Sequence, residues 1–514
     1  MIDFSCLDKF VTVNSESFVK KFSGVQVVEN KEYIEICCDP FSSVPVFFAQ
    51  KYDGSLVLFS NFEDIYNVED VSFEVDVAGF WEVVIFGSGV WDRTLYKSIK
   101  QLPSASKLIF NKETEEFFIE KYYTFNVQED SSIDSLDKAA ELVFNKLDDI
   151  FSKLNRNEKY VMGMSGGMDS RIALAFLSRH IPRDKLELFT YGFDDSILEY
   201  SYAKDCAKAL GYKEPVFHKL SSQSYRTALD YLPKMSGGQI GVHHCHITDY
   251  LCSRKDSDFK YISTYYSDAV MGWEAKECKN IDFSKKNYYE EMLDRIDYIS
   301  DDIKQIIVSD SKKVFSYLNE NSNYSSMDEY KYVTERNVKF HVYLSSIQSR
   351  LISDDNCSLI LPFADLELLE LMLSIPLKFR KNKLMIDAVI DKYFPELSQR
   401  SIGNVSSRFQ WGKGYASSYD FYKFKLINGI NAVLRKFTQG KVQVLNDFQT
   451  EELDRVLFSD FYSDLITNTK YLESIGVMDR LQVELWCKLP LRSVGICERF
   501  SIISVGHLLN NKNE

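Results

Sequence analysis

Between residues 159 and 220 the chain alternates strand-forming and helix-forming segments with little slack, and this alternation restricts the fold more than any other feature. Lys159–Met164 reads as a strand, Asp169–Arg179 as a helix and Leu186–Tyr191 as a second strand. Ile197–Leu210 reads as a helix with Ala203, Cys206, Ala207 and Leu210 on one face and Gly211 as its C-cap; Pro215–Leu220 is a third strand. Strands separated by helices cannot pair as hairpins, so right-handed crossovers place them in a parallel sheet. A further buried strand over Lys260–Tyr265 is expected in the same sheet. The expected class is α/β: a doubly wound parallel sheet with helical additions, plus a smaller sheet-rich amino-terminal domain.

That smaller domain is read from short β-prone runs at Gly24–Val28, Tyr33–Cys37, Val44–Phe48, Ser55–Phe59 and Ser106–Phe110, punctuated by turns such as Asp53-Gly54. After Ser135 the period changes, with Leu136, Ala139, Ala140, Val143, Leu147 and Ile150 repeating at three and four residues. Three regions follow: residues 1–130 as the sheet domain, 131–405 as the α/β domain and 406–514 as a helical extension of it. Residues 276–325, charged and rich in Tyr, Ser and Asn, read as a solvated insertion. Ser326–Glu329 has capping-box form before a helical face of Val333, Phe340, Leu344, Ile347 and Leu351.

Composition narrows the partners. The 61 Lys and Arg against 75 Asp and Glu leave a net charge of -14, which disfavours a nucleic-acid partner held through its phosphate backbone. No window approaches about 18 uncharged apolar residues, so no membrane span is expected. The first ten residues carry Asp3 and Asp8 and lack a basic n-region and an apolar h-region. Ten Cys, two of them adjacent at Cys37 and Cys38, do not form a disulfide framework. A cytoplasmic protein with reduced thiols is the expectation.

One segment carries chemistry: Val161-Met162-Gly163-Met164-Ser165-Gly166-Gly167-Met168-Asp169-Ser170-Arg171, at a strand-to-helix junction. Gly166 and Gly167 let backbone approach an anion, Ser165 and Ser170 add hydroxyls, and the helix points free N–H groups at the same place. It is neither a Walker A loop nor a Gly-x-Gly-x-x-Gly loop. Asp169 is the informative residue. About 4 Å from a phosphate it would be repelled by roughly 4 kcal/mol at an effective dielectric of ~20, so a bridging cation is expected. Mg²⁺ suits carboxylate and phosphate oxygens, and Asp268, beyond the strand at 260–265, could supply a second carboxylate.

Ser165-Gly166-Gly167-Met168-Asp169-Ser170 resembles the pyrophosphate loop of ATP pyrophosphatases, and the wider arrangement resembles the class B asparagine synthetase group, which includes β-lactam synthetases and lasso-peptide cyclases. Asp39-Pro40 with Pro45-Val46-Phe47-Phe48, the segment Asp92 to Pro103, Phe189-Thr190-Tyr191-Gly192, Leu210-Gly211 through His218, Ser263 through Asp268 to Gly272, and Pro362-Phe363-Ala364-Asp365 follow in the group's order. The resemblance implies an adenine nucleotide α-hydrolase-like fold behind a degenerate Ntn glutaminase-like domain. It implies that ATP adenylates a carboxylate, that pyrophosphate leaves with Mg²⁺, and that an amine attacks the acyl adenylate to give an amide. By position, Met164 and Tyr191 would frame adenine and ribose, and Ser165, Gly166, Gly167, Asp169 and Ser170 would hold phosphates. Ser263 and Thr264 would contact the nucleotide through backbone, and Asp169 and Asp268 would hold Mg²⁺. Partners would be a carboxylate-bearing small molecule, peptide or sugar acid, and ammonia or an amine.

The sequence departs from the group in three places. Glutamine-dependent members begin with Cys, whereas Met1-Ile2 stands here and Cys6 lies in a different context, so a truncated domain without glutaminase activity is expected. Tyr265 occupies a usually acidic position, where it would be a catalytic phenol or a packed aromatic, and Ala269 replaces a second carboxylate. The Lys expected soon after Phe394-Pro395-Glu396 is missing, leaving Arg408 or Lys413 as stand-ins. These departures support an alternative, a catalytically inactive nucleotide-binding or interaction protein of the same fold. Arg171 could face phosphate or solvent. His243-His244-Cys245-His246 with Cys252 matches no standard zinc spacing and reads as a polar segment near the substrate pocket.

Overall fold

The computed structural model describes residues 2–6, 11–15, 24–123, 129–254 apart from 196, 258–271, 293–319 apart from 295 and 297, 357–398 apart from 381 and 382, short pieces between 426 and 438, 456–487 and 496–511. The helical face expected at 333–351 and the stand-ins Arg408 and Lys413 lie outside the described residues.

The amino-terminal region is built from two sheets. The first orders β1 (Ile2–Cys6), β6 (Leu56–Phe59), β5 (Phe47–Gln50) and β7 (Ile99–Gln101). The second orders β2 (Val11–Ser15), β3 (Val25–Glu29), β4 (Tyr33–Cys38), β8 (Ser106–Asn111) and β9 (Phe117–Lys121). Pairing is antiparallel except for β1 with β6 and β2 with β3.

Alternation along each strand decides what each face meets. Phe48, Leu56 and Leu58 of the first sheet bury against Val25, Val27, Ile34, Ile36, Leu108 and Phe110 of the second. The opposite set, Phe47, Ala49, Val57 and Phe59, joins a separate core with α1 (Val77–Phe86), Tyr225 and Leu229, and Phe500, Ile502 and Val505 of the helix Ile496–Asn511. Each such side chain contributes about 1.5–3 kcal/mol when fully buried, so neither face of this sheet is free for solvent. This explains why α1, VAGFWEVVIF, is apolar around most of its circumference: it lies between two helices, Asp301–Asn319 and Ile496–Asn511, and its one charged residue, Glu82, is buried against Arg93. The last described helix thus packs on α1 and on α5 (Ser222–Ser236) and shares one core with the amino-terminal sheet.

Part of the stretch read as a solvated insertion is buried. Leu293, Ile299 and Ile307 enter that same core, and Asp310, on the helix Asp301–Asn319, reaches the guanidinium of Arg93. Their apolar spacing is diluted by charged neighbours, which hid it in the sequence.

The second half of the fold is a five-stranded, all-parallel sheet in the order β12 (Val216–Lys219), β11 (Leu186–Gly192), β10 (Tyr160–Gly163), β13 (Phe259–Ile262) and β14 (Cys357–Ile360). The expected strands are present, and β14 is an addition. Tyr160, Met162 and Leu188 face α2 (Leu136–Ser152), α3 (Met168–His180) and α4 (Leu198–Ala209). Val161, Phe189 and Tyr261 face Ile247, Tyr250 and Leu251 of α6 (His246–Ser253). Helices therefore cover both faces. No helix among the described residues is long and apolar enough to cross a membrane.

Candidate functional site

From β10 the chain steps outward to β11 and β12, then returns to the other side of β10 for β13 and β14. The reversal opens a crevice between the carboxyl ends of β10 and β13, the position where open α/β sheets bind ligands. Residues 164–170 leave β10 into this crevice. Met164 is fixed on both sides: its N–H donates to the Phe189 carbonyl at 2.7 Å, and its carbonyl accepts from Thr190 Oγ1 at 2.5 Å.

Gly166 adopts φ +71°, and a Cβ there would lie 2.5 Å from Tyr202 Cβ and 2.9 Å from the Tyr202 carbonyl carbon. The loop is pressed against the backbone of α4, which only glycine permits. Gly167 N-caps α3 without any side-chain cap, leaving first-turn N–H groups for a ligand or solvent. Ser165 Oγ accepts from Gly167 N–H at 3.2 Å and lies 3.3 Å from Ser170 Oγ, so the two hydroxyls bracket the turn. Arg171 faces neither phosphate nor solvent. It is fully buried and donates to the carbonyls of Gly166 at 3.0 Å and Leu397 at 3.2 Å, bracing the loop from behind.

Asp169, in the first turn of α3, meets a cation that sequence reading missed. Lys383 Nζ lies 2.5 Å from Asp169 Oδ2, with the lysine side chain only 6% exposed. Lys383 has φ +58° and begins the helix Leu384–Tyr393. The lysine that the resemblance implies would follow Pro395, whereas the ammonium found at the loop comes from the residue that precedes the helix Leu384–Tyr393. Its signal was a lone lysine after Arg380-Lys381-Asn382, indistinguishable from a surface run.

Across the crevice, residues 263–266 form the turn after β13. Ser263 N–H donates to the Ile360 carbonyl at 3.0 Å, its Oγ accepts from Tyr265 N–H at 3.2 Å, and the Thr264 carbonyl accepts from Ser267 N–H at 3.2 Å. Tyr266, at φ +69°, starts α7 (Ser267–Val270) and donates its hydroxyl to the Phe41 carbonyl at 2.8 Å. The amino-terminal region thereby touches the turn directly, next to Asp39, whose carboxylate accepts from the N–H groups of Gly24 and Phe41. Asp268 lies in α7, and its side chain is outside the described residues. Tyr265 is half-buried and packs against both cores of the parallel sheet.

Tyr191 does not stand open. His246 stacks on it with ring centroids 4.3 Å apart, and burial holds the phenol well above its ordinary pKa. His243 and His244 stack on one another at 4.0 Å instead of converging on a common point, and among the described residues no group of three His, Cys, Asp or Glu could hold a metal. Burial lowers the imidazole of His244 to about 4 and that of His246 to about 3, so both are neutral at pH 7. His218, beside Tyr191 in the ladder, is paired to Asp249 at 2.8 Å. Asp365 caps the helix Leu366–Ser374 through Leu368 N–H and pairs with Lys146 at 3.0 Å.

The structure thus brings Met164, Ser165, Gly166, Gly167, Asp169 and Ser170 together in one turn, with Ser263, Thr264 and Tyr265 on the adjoining strand end and Tyr191 on the other side. Chemically, such a turn can take an anion on glycine amides and hydroxyls beside a fixed ammonium. No family model matches this chain, and no curated protein matches it.

Proposed function

We propose that the chain is an ATP- and Mg²⁺-dependent, amide-forming ligase resembling the asparagine synthetase group, on an adenine nucleotide α-hydrolase-like fold and without glutaminase activity. One observation carries the reading: at the switch point of a parallel sheet, a Gly-Gly turn pressed onto α4 by Gly166 adjoins a buried ammonium, Lys383, at the start of α3. A triphosphate tail carries the charge that this arrangement suits.

In this reading the amides of Gly166 and Gly167 and the hydroxyls of Ser165 and Ser170 orient the leaving pyrophosphate, and Lys383 stabilises its charge. Preorganised donors lower the barrier because they need no rearrangement as charge develops. Backbone at Ser263 and Thr264, and Met164 with Tyr191, position the base and ribose. Magnesium would be held by Asp169 and Asp268 and would supply charge neutralisation to pyrophosphate. One or two carboxylates plus substrate phosphates suffice for this ion, so the exposed quarter of the Asp169 side chain fits a metal that arrives with the nucleotide. The acyl group is that of a carboxylate-bearing small molecule, peptide or sugar acid, and the acceptor is ammonia or an amine.

A second reading has its own support. Asp169 already has Lys383 as counter-charge, and Tyr265 is packed, which suits a nucleotide-binding or interaction protein without turnover. The test incubates protein with ATP, Mg²⁺ and a panel of carboxylates, with ammonium or glutamine, and measures AMP and pyrophosphate. Expected are AMP and pyrophosphate without a need for glutamine, abolished by Asp169→Ala or Asp268→Ala. ADP with phosphate would overturn adenylation, and tight ATP binding without pyrophosphate release would favour the second reading.

A further inference from the structure

A cavity of about 320 Å³ opens where three distant segments meet: Tyr66 of the amino-terminal region, Leu229, Asp230 and Lys234 of α5, and His507 and Leu508 of the last described helix. None of these residues belongs to the turn at 164–170 or to the ends of β10 and β13. The volume falls in the range of small-molecule sites, and the lining combines an apolar floor with a few polar groups, as such sites do.

The charges at the rim select the occupant. Lys234 is committed to Glu63 at 2.9 Å, and its ammonium lies 5.9 Å from the centre of the Tyr66 ring. Asp230 has His507 Nε2 at 3.6 Å. Burial holds the His507 imidazole below its ordinary pKa, against the opposing pull of Asp230 and Asp464 and with Arg226 also lowering it. His507 is therefore neutral at pH 7, and its ring already contacts the Asn511 amide at 2.8 Å. Asp230, with its side chain 79% exposed, remains the carboxylate at this rim whose charge is not balanced by a cation among the lining residues.

We propose that this seam is a binding site for a small organic cation, a primary amine whose ammonium is held by Asp230 while its apolar body lies on Leu229, Leu508 and the ring of Tyr66. An anion would meet Asp230 head-on, and a neutral molecule of the same shape would leave that carboxylate unused. An ammonium satisfies it with a charge-assisted hydrogen bond. The occupant would tie the amino-terminal region to the last helix, so binding is expected to raise the melting temperature.

The test titrates the full chain with phenethylamine, with 2-phenylethanol as the uncharged and phenylacetate as the anionic counterpart, by calorimetry and thermal shift, in the presence of saturating ATP and Mg²⁺. Expected is saturable one-to-one binding of phenethylamine with a raised melting temperature, and weakening by roughly two- to fivefold in Asp230→Asn. Asp230 is exposed on a helix surface, so this variant folds, and Asp169→Ala, remote from the seam, should bind phenethylamine as the parent does. Equal binding of the alcohol or the acid, unchanged affinity in Asp230→Asn, or no saturable binding at millimolar amine would each overturn the proposal.

Discussion

Lys383 and Asp169 are 214 residues apart in sequence, yet the ammonium of one lies 2.5 Å from the carboxylate of the other at the mouth of the Gly-Gly turn. The pair binds the start of the helix Leu384–Tyr393 to the first turn of α3, and so couples the proposed phosphate site to the placement of that helix.

Removing one partner leaves a charge with little water. Lys383→Met should destabilise the protein by about 2–3 kcal/mol, below the roughly 3–5 kcal/mol for breaking a fully buried pair because Asp169 keeps some exposure. Asp169→Asn strands the more deeply buried ammonium and should cost a comparable amount. The double variant should cost clearly less than the sum, and urea unfolding of all four proteins checks it. Simple additivity would show that the two groups do not interact in solution.

Gly166 and Gly87 both have positive φ, +71° and +77°, but their surroundings differ. Gly87→Ala meets nothing within 4 Å and should lose about 1 kcal/mol to backbone strain alone. Gly166→Ala adds a clash with α4 backbone and should lose a further 1–3 kcal/mol or so, together with the nucleotide affinity that the proposed function requires. Melting temperatures of the two variants, measured side by side, decide this.

Stability should fall as pH drops below neutral, partly through the histidine segment. In the unfolded chain an imidazole takes up its proton near pH 6.5, whereas burial holds His244 at about 4 and His246 at about 3 in the folded protein. Between these values the unfolded state binds more protons, so this contribution is fully present above about pH 6.5 and is lost on acidification. His246→Phe keeps a ring on Tyr191 and removes one such proton. Its melting temperature should decline less steeply between pH 6.5 and 4; an unchanged slope would refute a neutral buried His246.

Arg93 holds three carboxylates together: Asp76 at the start of α1, fully buried Glu82, and Asp310 from the helix Asp301–Asn319. Arg93→Met should cost about 3–5 kcal/mol at pH 8. Burial already raises the Glu82 carboxyl well above its ordinary pKa, so without the guanidinium it protonates readily. The deficit should therefore shrink at pH 5. Chemical denaturation of parent and variant at the two pH values measures it.

Much of this architecture is legible one segment at a time. The parallel sheet follows from strand and helix patterns at 159–220, and the Gly-Gly turn is visible because an unusual backbone needs an unusual residue. Other features were not legible. β14 is a four-residue strand with no period to announce it. The burial of Leu293, Ile299 and Ile307 is masked by charged neighbours. Arg171, which by sequence could face phosphate or solvent, instead braces the carbonyls of Gly166 and Leu397 from behind.

Short-range chemistry, then, dictated the α/β class, the position of the anion-ready turn and the alternation that gives each strand two faces, because these depend on neighbours within a few residues. Which partner each exposed or charged group acquires was set by folding: Lys383 for Asp169, His246 for the face of Tyr191, the last helix for the second face of the amino-terminal sheet. Those pairings depend on where distant segments come to lie after the chain closes on itself, and no local pattern of side chains encodes that distance.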